Sequence, residues 1–130
     1  MDQLLGTWSL VSHEAVSMYG PDPKGVAVFD AGGRFIISVM RSDRANYGIG
    51  HPAQGTDEEN MATAQGTMTY FGTYTVNEAD RTIAIHIEAS SFPNWSGADQ
   101  NRTFAIMGDR LTLTARALGG RADIVWQRAE

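Results

Sequence analysis

Three side chains have the chemistry to move a proton or hold a developing negative charge. His86 lies in Arg81-Thr82-Ile83-Ala84-Ile85-His86-Ile87-Glu88, Arg41 directly follows the apolar run Phe35 to Met40, and Asn94 lies in Phe92-Pro93-Asn94-Trp95. A histidine titrates near neutrality and serves as acid or base. An arginine at a strand end can clamp a carboxylate or enolate oxygen. A side-chain amide can donate to an oxyanion. His86, Arg41 and Asn94 are therefore the candidate catalytic set. Tyr47, Tyr70, Tyr74, Phe92, Trp95 and Gln100 are the candidate ligand-binding set, because most offer a large apolar body with one directional polar atom. The same residues would equally serve a core whose hydroxyls bond to the backbone. Likewise, Arg41, Asp43 and Arg44 also read as an exposed ion-pair cluster contributing roughly 0–1 kcal/mol per pair.

Other chemistries lack their residues. There is no Cys, so disulfides, thiolate catalysis and Cys metal sites are excluded together. The 3 histidines, His13, His51 and His86, fall on separate segments without metal-binding spacing. No Gly-rich phosphate loop precedes a helix, and Ser90-Ser91 has no nucleophile-elbow context. Neither a metal nor a cofactor is expected.

The segments that must position these residues are strands. Ile83, Ile85 and Ile87 alternate with Thr82, Ala84, His86 and Glu88, giving a strand with one apolar face. If the isoleucines line the interior, His86 is exposed; if the mixed face does, His86 is a buried base, since a one-residue slip exchanges the faces. The apolar interior is favoured by Leu111, Leu113 and Ala115, whose alternation leaves Arg110 and Arg116 on the other side. Pro93 cannot donate to a ladder, so pairing stops there and Phe92 and Trp95 flank the break like the rim of a pocket.

Further strands read over Leu4–His13, Gly25–Asp30, Arg34–Met40, Thr67–Val76, Gln100–Met107, Arg110–Arg116 and Ala122–Arg128. Turns read at Tyr19 to Pro23, Asp30-Ala31-Gly32-Gly33, Gly108-Asp109 and Gly119-Gly120. Arg41 to Gly55 has no periodicity. Thr56-Asp57-Glu58-Glu59 is a capping box, and the short helix it starts should end near Gln65, before Gly66. The prediction is all-β: an antiparallel up-and-down barrel of about eight strands, with one short helix inserted after the third strand. A closed barrel of that size leaves no exposed sheet edge and holds side chains or one small ligand. The segment from Arg41 to Gly66 should lie across one mouth as a partial lid.

The 130 residues suit one domain spanning the whole chain. A net charge of -5, with Lys24 the sole lysine and the arginines scattered, argues against nucleic-acid binding. No apolar run reaches membrane length, and no signal peptide is evident, so a cytoplasmic protein is expected.

Leu5-Gly6-Thr7-Trp8 resembles the Gly-x-Trp opening of lipocalins. Taken with Met40-Arg41-Ser42-Asp43-Arg44, Gly55-Thr56-x-Glu58-Glu59, Tyr70-Phe71-Gly72-Thr73-Tyr74, Phe92-Pro93-Asn94-Trp95-x-Gly97-x-x-Gln100 and Val125-Trp126-x-Arg128, the chain resembles the bacterial and fungal lipocalin-like domain family over nearly its whole length. The resemblance implies a calycin-type barrel around an apolar cavity, with Arg128 packed over Trp8. It implies no single activity, since most members are unassigned and some relatives act as cyclases or isomerases. The expected function is binding of a small hydrophobic or aromatic molecule inside the barrel, by a monomer or homodimer. The alternative is an acid/base enzyme (isomerase, cyclase or lyase) of secondary or aromatic metabolism using the same cavity. The cavity is expected near Arg34–Met40, Thr67–Val76 and the Phe92–Trp95 loop, lined by Tyr70 or Tyr74 and by Trp95.

Overall fold

Alternating apolar residues in short runs between turn residues have one way to bury every inner face at once, which is to close on themselves. The computed structural model describes residues 3–13, 22–44, 46–48, 50–117 and 120–129. Its strands are β1 (Gly6–His13), β2 (Lys24–Phe29), β3 (Arg34–Met40), β4 (Thr67–Asn77), β5 (Thr82–Ser90), β6 (Asp99–Met107), β7 (Arg110–Ala117) and β8 (Gly120–Arg128). Each pairs antiparallel with the next, and β8 pairs back with β1 to close the barrel. Helix α1 (Asp57–Gln65) follows β3, and single 3-10 turns form at Pro52–Gln54 and Pro93–Trp95. The eight-stranded barrel and its one inserted helix are those the sequence predicts. Strand ends differ by a residue or two; Leu4 precedes β1, and Gly120 opens β8 where a turn is expected. The loop turn at Tyr19 to Pro23 lies mostly outside the described residues.

Ile83, Ile85 and Ile87 point inward and are buried, together with Phe35, Ile37, Val39, Leu111 and Leu113. Strand parity therefore settles on the apolar interior, and His86 stands on the outer face.

Two bulges adjust the register. On β5, Ala89 pairs with Phe71 and Ile87 with Gly72, so Glu88 is the extra residue. Gly72 faces the His86 carbonyl so closely that a Cβ there would overlap it. On β1, Leu10 pairs with Trp126 and Ser12 with Val125, leaving Val11 unpaired and exposed.

Trp8, fully buried, plugs the end at which β1 starts. Its indole Nε1 donates to the Leu4 carbonyl at 2.9 Å. The Arg128 guanidinium lies 4.2 Å from the Trp8 ring centroid and donates to the Leu5 and Gln3 carbonyls. That cation–π stack, expected from the resemblance, seals the floor of the barrel. Gly6, with φ of +119°, lets the chain turn beside the guanidinium, where a Cβ would meet Arg128 Nη1 at 3.3 Å.

Candidate functional site

The other end of the barrel is the mouth. It is bounded by the end of β3, the segment leading to α1, and the loop between β5 and β6. A column of aromatic rings leads to it along one wall. From the floor, Tyr74 packs edge-on against Phe29 at 5.2 Å, and Phe29 stacks with Phe35 at 6.5 Å. Phe35 meets Tyr70 at 5.8 Å, Tyr70 meets Trp95 at 5.4 Å, and Trp95 meets Phe92 at 5.9 Å. Four of the five contacts are edge-to-face, which sets positive ring edges against negative ring faces and favours them beyond the area they bury. Burial falls along the column: Phe29, Phe35, Tyr70 and Tyr74 are buried, Trp95 is half-buried, and Phe92 is 43% exposed.

Pro93 explains the top of that column. Regular pairing ends at Ser90, and the chain makes one 3-10 turn, Pro93–Trp95, with Pro93 in its first turn. Ser96 and Gly97 bring the chain back: Ser96 Oγ accepts from the Ser90 amide, and the Gly97 amide donates to the Ile87 carbonyl at 2.7 Å. The turn thereby leans Trp95 over Tyr70 at the opening.

The facing wall is graded in the same sense. Near the floor its inward side chains Phe104, Leu111 and Trp126 are buried, with Ile106 half-buried at the end of β6. Toward the mouth the inward positions Gln100, Ala115, Ala122 and Ile124 are only half-buried, as is Arg102 at mid-height, so solvent reaches this side of the upper interior. Register places Gln100 opposite Ile85 and Arg102 opposite Ile83, both inward. Arg102 Nη2 donates to Gln100 Oε1 at 2.6 Å, and Nη1 to the Asn101 carbonyl at 3.2 Å. Trp126 Nε1 is buried without a hydrogen-bond partner.

At the rim, Lys24, Met40, Arg41, Ser42, Arg44, Asn46, Tyr47 and Thr63 line a cleft of about 520 Å³. Arg41 forms a two-pronged pair with Asp43 at 2.8 and 2.9 Å. That hydrogen bonding raises the guanidinium's already high pKa and lowers that of the Asp43 carboxyl. Tyr47 is half-buried, and its hydroxyl donates to Asn60 Oδ1 at 3.0 Å. The capping box forms as expected: Glu59 accepts from the Thr56 amide, and Thr56 Oγ1 from the Glu59 amide. Glu59 also accepts from the Gly48 amide at 2.7 Å, tying the preceding loop to the helix. Those backbone donors hold the Glu59 carboxyl below its usual range.

The remaining candidates lie apart. His86 is exposed on the outer wall, its Nδ1 2.7 Å from Asp99 Oδ1. It is not the buried base that the opposite strand parity would have made. An outer-wall groove of about 250 Å³ runs past this pair. Asn94 is exposed within the 3-10 turn. Tyr74 points inward but belongs to the floor, where its hydroxyl donates to the Asp30 carbonyl at 2.6 Å. Burial first, and then Asp30, raise its pKa above 10.0. The structure thus brings Tyr70, Trp95 and Phe92 into one row and places Gln100 on the inner wall, but it leaves His86 outside that wall. Arg102 and Trp126 are inner-wall groups missed by reading the sequence. The signal for Arg102 was its even spacing from Gln100 and Phe104. Among the described residues no three His, Asp or Glu side chains gather to hold a metal ion, and no helix is long and apolar enough to cross a membrane.

A relative named 4'-hydroxy-3'-methoxypropiophenone carrier protein ppsC, from Aspergillus oryzae, is 36% identical over 66 residues, which cover 46% of this chain and 60% of that protein. Among solved structures, the chain is similar to fatty-acid-binding protein 1 of Echinococcus granulosus, at 11% identity over 100% of both chains with a TM-score of 0.49. It is also similar to the REP1-NXSQ fatty acid transporter, at 10% identity over 100% of this chain and 98% of that one, with a TM-score of 0.49. The profile of the lipocalin-like domain family matches residues 5–129, and the chain belongs to that family.

Proposed function

We propose that this barrel binds a small hydrophobic or aromatic molecule in its interior, entering past Trp95, and acts as a carrier. The observation that carries this reading is the grading of the inner wall. The floor is sealed by Trp8, Arg128 and buried aromatics, whereas the inward side chains of β6, β7 and β8 toward the mouth stay half-buried across from an aromatic column. Solvent-reached apolar wall is what a ligand desolvates with gain, about 25 cal/mol per Å² covered. The relative named as a carrier of an aryl ketone supports an aromatic ligand. The inner wall carries Tyr70, Tyr74, Arg102 and Arg128 as titratable groups, and the β1 register sets His13 opposite the inward Ile124.

Nile red, an uncharged dye whose emission rises in apolar surroundings, tests this directly. It should bind at one site and be displaced by aryl ketones. Trp95→Ala should weaken it by about 1–3 kcal/mol, the scale of one aromatic anchor. Failure of both Nile red and aryl ketones to bind would overturn the reading.

A further inference from the structure

Among the described residues, the inner wall above the floor holds a guanidinium and no carboxylate. Arg102 stands on the inner face of β6, half-buried, between Gln100 and the buried Phe104. Its hydrogen bonds go to two neutral oxygens, Gln100 Oε1 and the Asn101 carbonyl. No carboxylate faces it: among the described residues, the strand acids Glu88, Asp99 and Asp123 all sit at outward positions. Glu88 pairs there with Arg34, Asp99 with His86, and Asp123 with Thr114.

A partly desolvated guanidinium with no counter-ion among the described residues, inside a protein of net charge -5, is costly unless something inside the barrel pairs with it. Guanidinium groups suit flat, two-oxygen anions and phenolate-type oxygens, because their donors form a rigid fork. From this balance we infer that the occupant carries an anionic oxygen, as a carboxylate or an acidic phenol on its apolar body, and that Arg102, held by Gln100, receives it. This rests on the proposed interior binding site and adds the chemical class of its ligand. Gln100 is a positioning residue here: its Oε1 fixes one edge of the guanidinium and leaves the remaining donors for the ligand.

The test uses two molecules of one shape, 2-naphthoate and its uncharged methyl ester, titrated calorimetrically at pH 7. The full-length protein should bind the acid at least about tenfold more tightly than the ester, the scale of a charge-assisted hydrogen bond. Arg102→Gln should abolish that preference, the acid losing far more affinity than the ester, and Arg102→Lys should retain part of it. Arg44→Gln, which removes a rim cation, should leave the preference intact. Equal affinities for acid and ester in the unaltered protein would overturn the inference while the interior site stands, and this comparison needs no variant to fold. A preference lost in Arg44→Gln but kept in Arg102→Gln would also overturn it, by placing the anion at the rim. If neither compound binds, the interior binding reading fails and this inference falls with it.

Discussion

Trp8 does two jobs with one ring, since its indole N–H ties the start of the chain to β1 while its face receives Arg128. Replacing it with Ala removes a fully buried indole and strands a guanidinium, so Trp8→Ala should cost about 3–5 kcal/mol in denaturant unfolding. Tyr74 gives a finer measurement. Its hydroxyl makes one hydrogen bond to the Asp30 carbonyl, and Tyr74→Phe keeps the ring contact with Phe29. The loss should be about 0.5–1.5 kcal/mol. The raised pKa of Tyr74 adds a pH signature with a definite sign. The folded state disfavours the phenolate, so stability falls as pH rises from the tyrosine's ordinary value through the raised one. Tyr74→Phe should flatten that alkaline decline, and thermal melts across the range would show it. At this scale the sequence identified aromatic residues with polar ends, but it could not assign Tyr74 to the floor and Tyr70 to the mouth. The assignment depends on which partners the register supplies, and those are distant in the chain.

Elements were legible wherever the local signal was self-contained. The capping box at Thr56 and Glu59 satisfies backbone donors within four residues, so it forms where the sequence says it should. Strand interiors were legible from period two. Bulges were not, because an extra residue leaves no mark in the alternation until the partner strand is known. Gly72 marks one of them: a Cβ there would collide with the His86 carbonyl, so β4 and β5 must separate or slip to admit it. Gly72→Ala should therefore cost more than a typical strand glycine substitution. Amide exchange should show the loss of protection centred on the Phe71–Ala89 pairing, with β7 and β8 spared. The α1 clamp depends on pH in the opposite sense to Tyr74. Glu59 has its pKa lowered in the folded state, so its contribution is present above the ordinary carboxylate value and is lost as pH falls through the lowered one. The Thr56 and Gly48 amides should lose protection together in acid, and Glu59→Gln should weaken both at neutral pH. Acid-stable protection at Gly48 would mean that other contacts hold the loop.

On the scale of the whole molecule, the barrel divides into a packed half and an open half, and the division follows side-chain size. Trp8, Phe29, Phe35, Trp126, Ile83 and Leu111 fill the floor, whereas β7 and β8 present Ala115 opposite Ala122 toward the mouth. Small residues at paired inward positions leave space that large ones would close. The sequence displayed both alanines, but not that register would set them face to face across adjacent strands. This contrast can be tested by adding volume at each level. Ala115→Phe should enter unfilled space, leaving the melting temperature within a few degrees while lowering Nile red affinity by about tenfold or more. Leu113→Trp, one inward position deeper and buried, should instead overpack the floor side and cost about 1–3 kcal/mol. If Ala115→Phe proves as destabilising as Leu113→Trp, the upper barrel is as tightly packed as the floor and has no room for a ligand. If it is tolerated and binding persists, the ligand lies elsewhere, and the outer groove beside His86 and Asp99 becomes the place to look.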